Sequence, residues 1–160
     1  MARRHPSLVP LSRDHHEGLI LAIRLQQREK ALLRMWSHDA EYQSRAIVDF
    51  YESDLANHFD AEEQVLFPFI DRHVPSAVPL KNELIAEHRE FAQYVEGFRH
   101  PSPDTLEARL REFGEKLELH IRKEDRKLFP LFEEKAPAEI MKQVEQGIQR
   151  FYEERRPPSE

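Results

Sequence analysis

Two stretches of the chain carry the same arrangement of histidine and carboxylate side chains. Residues 58–68 read HFDAEEQVLFP, and residues 120–130 read HIRKEDRKLFP. In each stretch a glutamate follows a histidine by four residues, so the two side chains share one face of a helix. The pairs are His58 with Glu62 and His120 with Glu124. Imidazole nitrogens and carboxylate oxygens together suit iron, manganese or zinc, whereas calcium and magnesium prefer oxygen alone.

Two other segments supply further histidines. The first segment contains DHHE at residues 14–17, and the third contains His88 directly after Glu87. Apolar residues follow His16 at offsets of three, four and seven, as they follow His88. This spacing favours His16 as the inward-facing histidine. His15 remains the alternative ligand, and otherwise we expect it to orient one.

The elements that must position these residues are helices. Among the 160 residues 34% are charged and 39% hydrophobic, with four glycines, which favours long amphipathic helices in one domain, residues 1–160. Hairpin signals and alternating strand patterns are missing. Apolar stripes and capping residues predict four helices, which run from Ser12 to about Met35, from about Asp39 to Phe67, from Pro79 to near Phe98, and from Asp104 or Thr105 to about Phe129.

Short connections between these helices predict an all-α, antiparallel up-down-up-down four-helix bundle over residues 8–132. Pro68 and Pro130 are expected to kink or end their helices. A fifth helix over about residues 138–154 is expected to cover an edge of the bundle, with a homodimer face as the alternative.

Composition also excludes several classes of function. The chain has no cysteine, so disulfides, thiolate metal sites and cysteine nucleophiles are ruled out. Its net charge of −6 is spread over mixed acids and bases, which argues against a nucleic-acid partner. No apolar run approaches the length of a membrane span and no signal core follows the start, so we expect a cytoplasmic protein without a membrane partner.

The histidines and glutamates interrupt the apolar stripes, so we expect them to be buried. Burial of such groups indicates that something compensates their charge. Burying an unpaired carboxylate costs several kcal/mol, against a net stability of about 5–15 kcal/mol for a whole domain. One or two divalent cations would satisfy the whole set, with the two glutamates bridging a pair. Glu63 and Asp125 lie off the stripes, so we expect them to be solvated, with the orientation of histidine ligands as the alternative. A ferritin-type site would need Glu three residues before its histidines. The residues at those positions before His58, His88 and His120 are Leu55, Ile85 and Leu117, so the spacing excludes a ferritin-type site.

At these residues the chain resembles the hemerythrin-like family, also called the HHE cation-binding domain. DHHE, HFDAEE, the Glu87–His88 pair, HIRKED and the two LFP endings carry the resemblance over about residues 8–132. It implies two non-haem iron ions in the bundle, bridged by carboxylates and an oxo group. The ligands it implies match those expected from the stripes: His16 (or His15), His58, Glu62, His88, His120 and Glu124.

The resemblance also bears on the reaction. Oxygen-carrying hemerythrins have a further histidine where this chain has Leu84, and an aspartate ligand where it has Asp125. The site pattern is closer to that of di-iron proteins that repair damaged iron centres, which use HxxxE on both helices and so favour Glu124. Those proteins usually carry a cysteine-bearing N-terminal domain, and this sequence has no cysteine.

The resemblance implies a di-iron protein that binds or reacts with O2, NO or H2O2, in sensing or in the response to oxidative or nitrosative stress. Alternatives are a peroxidase, catalase-like or NO-reducing enzyme, an iron donor for the repair of iron centres, and a helical bundle without metal.

Overall fold

The prediction of an all-helical bundle with an extra helix is confirmed by a computed structural model, which describes residues 3–26 and 36–155. No strand occurs in those ranges. The helices are α1, Val9–Gln26; α2, residues 40–73; α3, Val78–Arg99; α4, residues 106–135; and α5, Ala138–Glu154. None of them has both the length and the apolar character that crossing a membrane requires.

The first helix begins earlier than its sequence signals indicate. A short 3-10 turn, Pro6–Leu8, leads directly into α1, and the side chain of His5 accepts a hydrogen bond from the backbone N–H of Ser7. Ser12, the expected cap, therefore lies inside the helix. The predicted end of this helix near Met35 falls outside the described residues. By contrast, Asp39 caps α2 as its sequence position suggests, by accepting from the backbone N–H of Tyr42.

Helices α2 and α4 both continue past their prolines. Of the two expected effects of Pro68 and Pro130, a kink or an end of the helix, the end was therefore wrong. Each proline follows a π-helical turn, Glu62–Leu66 or Glu124–Leu128, whose last hydrogen bond spans five residues. A π turn leaves one carbonyl without its usual donor. Each π turn is followed by a proline, which has no N–H. Because the shifted hydrogen-bond pattern requires no N–H donor at that position, the proline costs no hydrogen bond, and the helices run on to residues 73 and 135.

Gly114 allows a close contact between helices α1 and α4. A Cβ atom at this position would lie 2.8 Å from the carbonyl oxygen of Ala22 and 2.9 Å from Cβ of Leu25. Other neighbouring pairs are α2 with α3, α3 with α4 and α2 with α4, while α5 packs against α2 and the 3-10 turn Pro6–Leu8. The close α1–α4 contact brings two of the titratable stretches together.

The apolar core consists of two clusters. One contains Leu11, Leu66, Phe67 and Phe129, and the other contains Leu21, Leu55, Phe59 and Leu117, together with further residues. Along α2 and α4 the buried histidines and glutamates lie between members of the two clusters. The bundle thus surrounds one polar layer with apolar side chains at both ends.

Replacing Gly114 by alanine should destabilise the fold by about 1–3 kcal/mol, because the added methyl group meets backbone atoms that cannot move aside cheaply. The matched control is Gly97→Ala, where a Cβ atom meets nothing within 4 Å. That change should be neutral or stabilising by up to about 1 kcal/mol. Urea unfolding of both variants tests this, and equal effects would contradict the close α1–α4 contact.

Candidate metal centre

Six titratable side chains are buried together in the polar layer between the two apolar clusters. Each exposes at most 3% of its surface. We call these the inner residues: His15 on α1, His58 and Glu62 on α2, His88 on α3, and His120 and Glu124 on α4.

The inner residues form two groups that share both glutamates. The A position is defined by His15 and His58 with Glu62 and Glu124, and the B position by His88 and His120 with the same two glutamates. Within each group the donor atoms all lie within 4.8 Å of one another. Each group could hold a metal ion, with two histidines of its own and the two glutamates common to both groups.

The contacts within each group are short. At the A position, Nε2 of His15 lies 3.2 Å from Oε2 of Glu124, and Nε2 of His58 lies 3.3 Å from Oε1 of Glu62. At the B position, Nε2 of His88 lies 3.4 Å from Oε1 of Glu62. Nε2 of His120 lies 2.6 Å from Oε1 of Glu124. All four histidines thus turn their Nε2 atoms toward the shared glutamates.

The other ring nitrogen, Nδ1, faces a carboxylate in every case. We call these four groups the outer carboxylates. The pairs are His15 with Asp125 at 2.9 Å, His58 with Asp14 at 3.1 Å, His88 with Glu63 at 2.9 Å, and His120 with Glu87 at 2.9 Å. Such partners fix the orientation of an imidazole ring and its tautomer.

The outer carboxylates connect the four helices in a closed ring. The carboxylate on α1 holds the histidine of α2, the one on α2 holds that of α3, and the one on α3 holds that of α4. The carboxylate on α4 returns to the histidine of α1. Each outer carboxylate is also the sequence neighbour of an inner residue, so every helix contributes one acceptor to the next histidine beside its own inward-facing group.

The ring determines which atoms point into the centre. Because each Nδ1–H donates outward, a neutral histidine presents the lone pair of Nε2 to the interior. With all four rings neutral, the centre collects nitrogen and oxygen acceptors, and protons or cations must lie between them; Nε2 of His15, for example, lies 3.2 Å from Nε2 of His58. Six buried atoms there have no hydrogen-bond partner: both carboxylate oxygens of Glu62 and of Glu124, and Nε2 of His88 and of His120. A metal pair satisfies such a set of acceptors, so the residues present fit it.

In the absence of metal, protons must take over part of this role. Burial and the negative charge of Glu124 raise the pKa of Glu62 well above its usual range. Burial alone would lower the pKa of His15, but Asp125 and Glu124 outweigh it and raise the pKa to about 9. Burial and the neighbouring His120 lower the pKa of His88 to about 4, so this ring is neutral at pH 7.

The structure reverses the expected roles of His15 and His16. His15 is buried at the A position, whereas the side chain of His16 is exposed, so the choice of His16 as the inward-facing histidine was wrong. The buried face of α1 runs through small residues, Gly18 and Ala22, which allow the close approach of α4. A stripe counted from large apolar side chains alone misses these two residues, although Leu11, Leu21 and Leu25 are buried on the same helix.

The expectation that Glu63 and Asp125 are solvated was also wrong. Both are only partly exposed, at 20% and 27% of their side chains, and both accept from an inner histidine. The alternative, that Glu63 and Asp125 orient histidines, agrees with these hydrogen bonds. Asp14 and Glu87 play the same part and were not identified from the sequence. Their position beside His15 and His88 is the signal that could have found them.

A model of the hemerythrin HHE cation-binding domain matches residues 7–132. The chain therefore belongs to this family, whose members bind metal cations. The match covers α1 to α4, including all six inner residues, and ends before α5. No curated protein and no solved structure matches the chain significantly.

Replacing His15 by alanine should lower the number of metal ions bound from about two to about one per chain, because the A position loses one of its two imidazoles. The exposed neighbour provides the matched control, since His16→Ala should leave metal content unchanged. Metal analysis after reconstitution distinguishes the two variants. Metal loss in the His16 variant alone would contradict the geometry.

Metal binding near pH 7 should release protons and strengthen as the pH rises. In the metal-free protein His15, with a pKa of about 9, holds a proton that a metal ion must displace, and the raised pKa of Glu62 acts in the same direction. Calorimetry with cobalt(II) in buffers of different ionisation enthalpy measures the protons released. An affinity that does not change between pH 7 and pH about 9 would contradict this assignment.

Proposed function

We propose that this member of the hemerythrin HHE family is a non-haem di-iron protein that binds or reacts with O2, NO or H2O2. The observation that carries the proposal is the pair of donor groups sharing Glu62 and Glu124. When bound, an iron pair supplies open coordination positions and the electrons for binding or reducing a small ligand. Sensing, or a cytoplasmic response to oxidative or nitrosative stress, is the role we infer from this chemistry.

The coordination that the chain can provide supports an open site. Each position has two imidazoles and a share in two carboxylates, whereas iron commonly takes up to about six ligands. Leu84, one helical turn before His88, is completely buried and belongs to the apolar cluster next to the polar layer. It offers no donor atom, so the B position gains no third imidazole from α3.

A narrow cavity beside the A position supports a ligand of only a few atoms. Its lining includes apolar atoms of Gly18, Leu55, Phe59 and Ile121, together with rings of the inner histidines. The space open to the centre of a water-sized molecule is about 20 Å³, where one water needs about 10–15 Å³. A diatomic molecule or a peroxide fits such a space, and an organic substrate does not.

The residues around the centre exclude bulk water and fix the orientation of the inner histidines. The apolar clusters on both sides keep the inner residues dry, which strengthens every electrostatic interaction among them. The outer carboxylates hold the four rings in place, so little reorganisation accompanies a change of charge at the centre. These properties favour reversible binding or controlled reduction of a small ligand.

Purified protein reconstituted anaerobically with ferrous iron should bind about two iron ions per chain and develop the absorption of an oxidised iron pair on exposure to O2. Reversal on removal of O2 would identify a carrier or sensor. Sustained consumption of H2O2 or NO would identify an enzyme. Zinc without iron, or no bound metal, would contradict the proposal.

Replacing Leu55 by phenylalanine should slow the reaction with O2 by about tenfold, equivalent to about 1.4 kcal/mol in the barrier, because the larger ring fills the cavity. Iron content should not change. The matched control is Leu119→Phe, a leucine on α4 that is 67% exposed, and it should react at the original rate. Equal rates in all three proteins would show that the ligand does not use this cavity.

A further inference from the structure

Helix α5, which lies beyond the residues matched by the family model, reaches the metal centre through one side chain. The hydroxyl group of Tyr152 donates to Oδ2 of Asp14 over 2.6 Å. The same oxygen accepts from Nδ1 of His58 at 3.1 Å. A short series of hydrogen bonds therefore runs from α5 through α1 to an inner histidine of the A position.

Asp14 is the outer carboxylate that most needs such support. Its side chain is 41% exposed, compared with 27% for Asp125, 21% for Glu87 and 20% for Glu63. It lies on the wall of an open polar groove between α1, α2 and α5. A carboxylate in contact with water can rotate away from an imidazole, because solvent replaces the hydrogen bond at little cost.

The other outer carboxylates have additional partners within the four-helix bundle. Arg89 binds Glu63 at 3.0 Å, and Lys123 binds Glu87. The hydroxyl group of Ser12 lies 3.5 Å from Asp125. Asp14 differs because its additional partner comes from α5.

Packing of α5, and of the Tyr152 ring itself against the apolar cluster that contains Leu11 and Leu66, holds Tyr152 in place. The buried face of α5 consists of Ile140, Val144, Ile148 and Phe151. Gly147 allows α5 to approach the π turn Glu62–Leu66 of α2, since a Cβ atom added to Gly147 would lie 2.7 Å from Cγ1 of Val65. The tyrosine ring is thus held by the helix that carries it, and its hydroxyl group provides a fixed donor.

We propose that Tyr152 is a positioning residue of the metal centre, which holds Asp14 and through it the ring of His58 at the A position. Helix α5 is then a functional part of the centre as well as a cover for the bundle. This inference rests on the proposed metal binding at the inner residues.

The test is Tyr152→Phe in the full chain, which removes one hydroxyl group and keeps the ring that packs. The matched control is Tyr94→Phe, because Tyr94 donates to Glu112 at 3.0 Å on the surface in the same type of bond. Cobalt(II)-loaded proteins are compared by proton NMR, in which exchangeable Nδ1–H signals of metal-bound histidines are shifted out of the main spectrum. Metal release to a chelator and thermal unfolding of the metal-free proteins complete the comparison.

In Tyr152→Phe one of the four Nδ1–H signals should exchange faster with solvent, and one of the two metal ions should leave about tenfold faster. The other signals, the other ion and the metal-free thermal midpoint should match those of the original protein and of Tyr94→Phe. In an Asp14→Asn background, adding Tyr152→Phe should change nothing further, because the tyrosine acts through that carboxylate.

Unchanged signals and release rates in Tyr152→Phe would overturn the inference. It would also be overturned if all four signals and both ions changed together with a lower metal-free midpoint, since Tyr152 would then only support the packing of α5. Binding of cobalt and iron by the original protein is measured first, and the protein could fail to bind either metal. That result would refute the proposed function and this inference with it.

Discussion

The structure depends on one constraint, the burial of imidazole and carboxylate acceptors that need protons or cations between them. Four Nε2 atoms and two carboxylates meet in a layer enclosed by apolar side chains. Leaving such groups uncompensated costs several kcal/mol each, which is comparable with the stability of a whole domain. Cations in the centre remove that cost. The closed ring of outer carboxylates makes the demand specific, because it sends every Nδ1 proton outward and leaves every Nε2 lone pair facing in.

Local structure is arranged around the same constraint. The two π turns that precede the prolines begin at an inner glutamate, Glu62 or Glu124, and include the outer carboxylate that follows it, while a third π turn, Tyr51–Leu55, precedes His58. Each of the first two turns is therefore the place where one helix supplies an acceptor to the centre and another to the histidine of its neighbour. π turns are frequent at functional sites because they redirect side chains without ending the helix. The prolines that follow fit the hydrogen-bond pattern left by these turns.

Much of this could be predicted from the sequence, and the failures have physical reasons. The paired HxxxE stretches and the apolar stripes predicted the bundle and the burial of Glu124 in preference to Asp125, since helical periodicity is a local property. The choice between His15 and His16 failed because the residues of the inner face that follow His15 by three and seven positions are Gly18 and Ala22, small residues that allow another helix to approach closely. The sequence also did not identify the carboxylates that hold the histidines, for a similar reason. Each outer carboxylate holds a histidine on another helix, and such contacts depend on tertiary packing that one sequence does not encode in its spacing.

Anomalous diffraction from crystals of the iron-loaded protein, collected at the iron absorption edge, tests the central claim most directly. The result expected is a pair of peaks within the polar layer, one beside His15 and His58 and the other beside His88 and His120. Glu62 and Glu124 should lie between the two peaks as shared ligands. A single peak, a peak coordinated by His16, or peaks outside this layer would contradict the assignment of the inner residues as a di-iron centre.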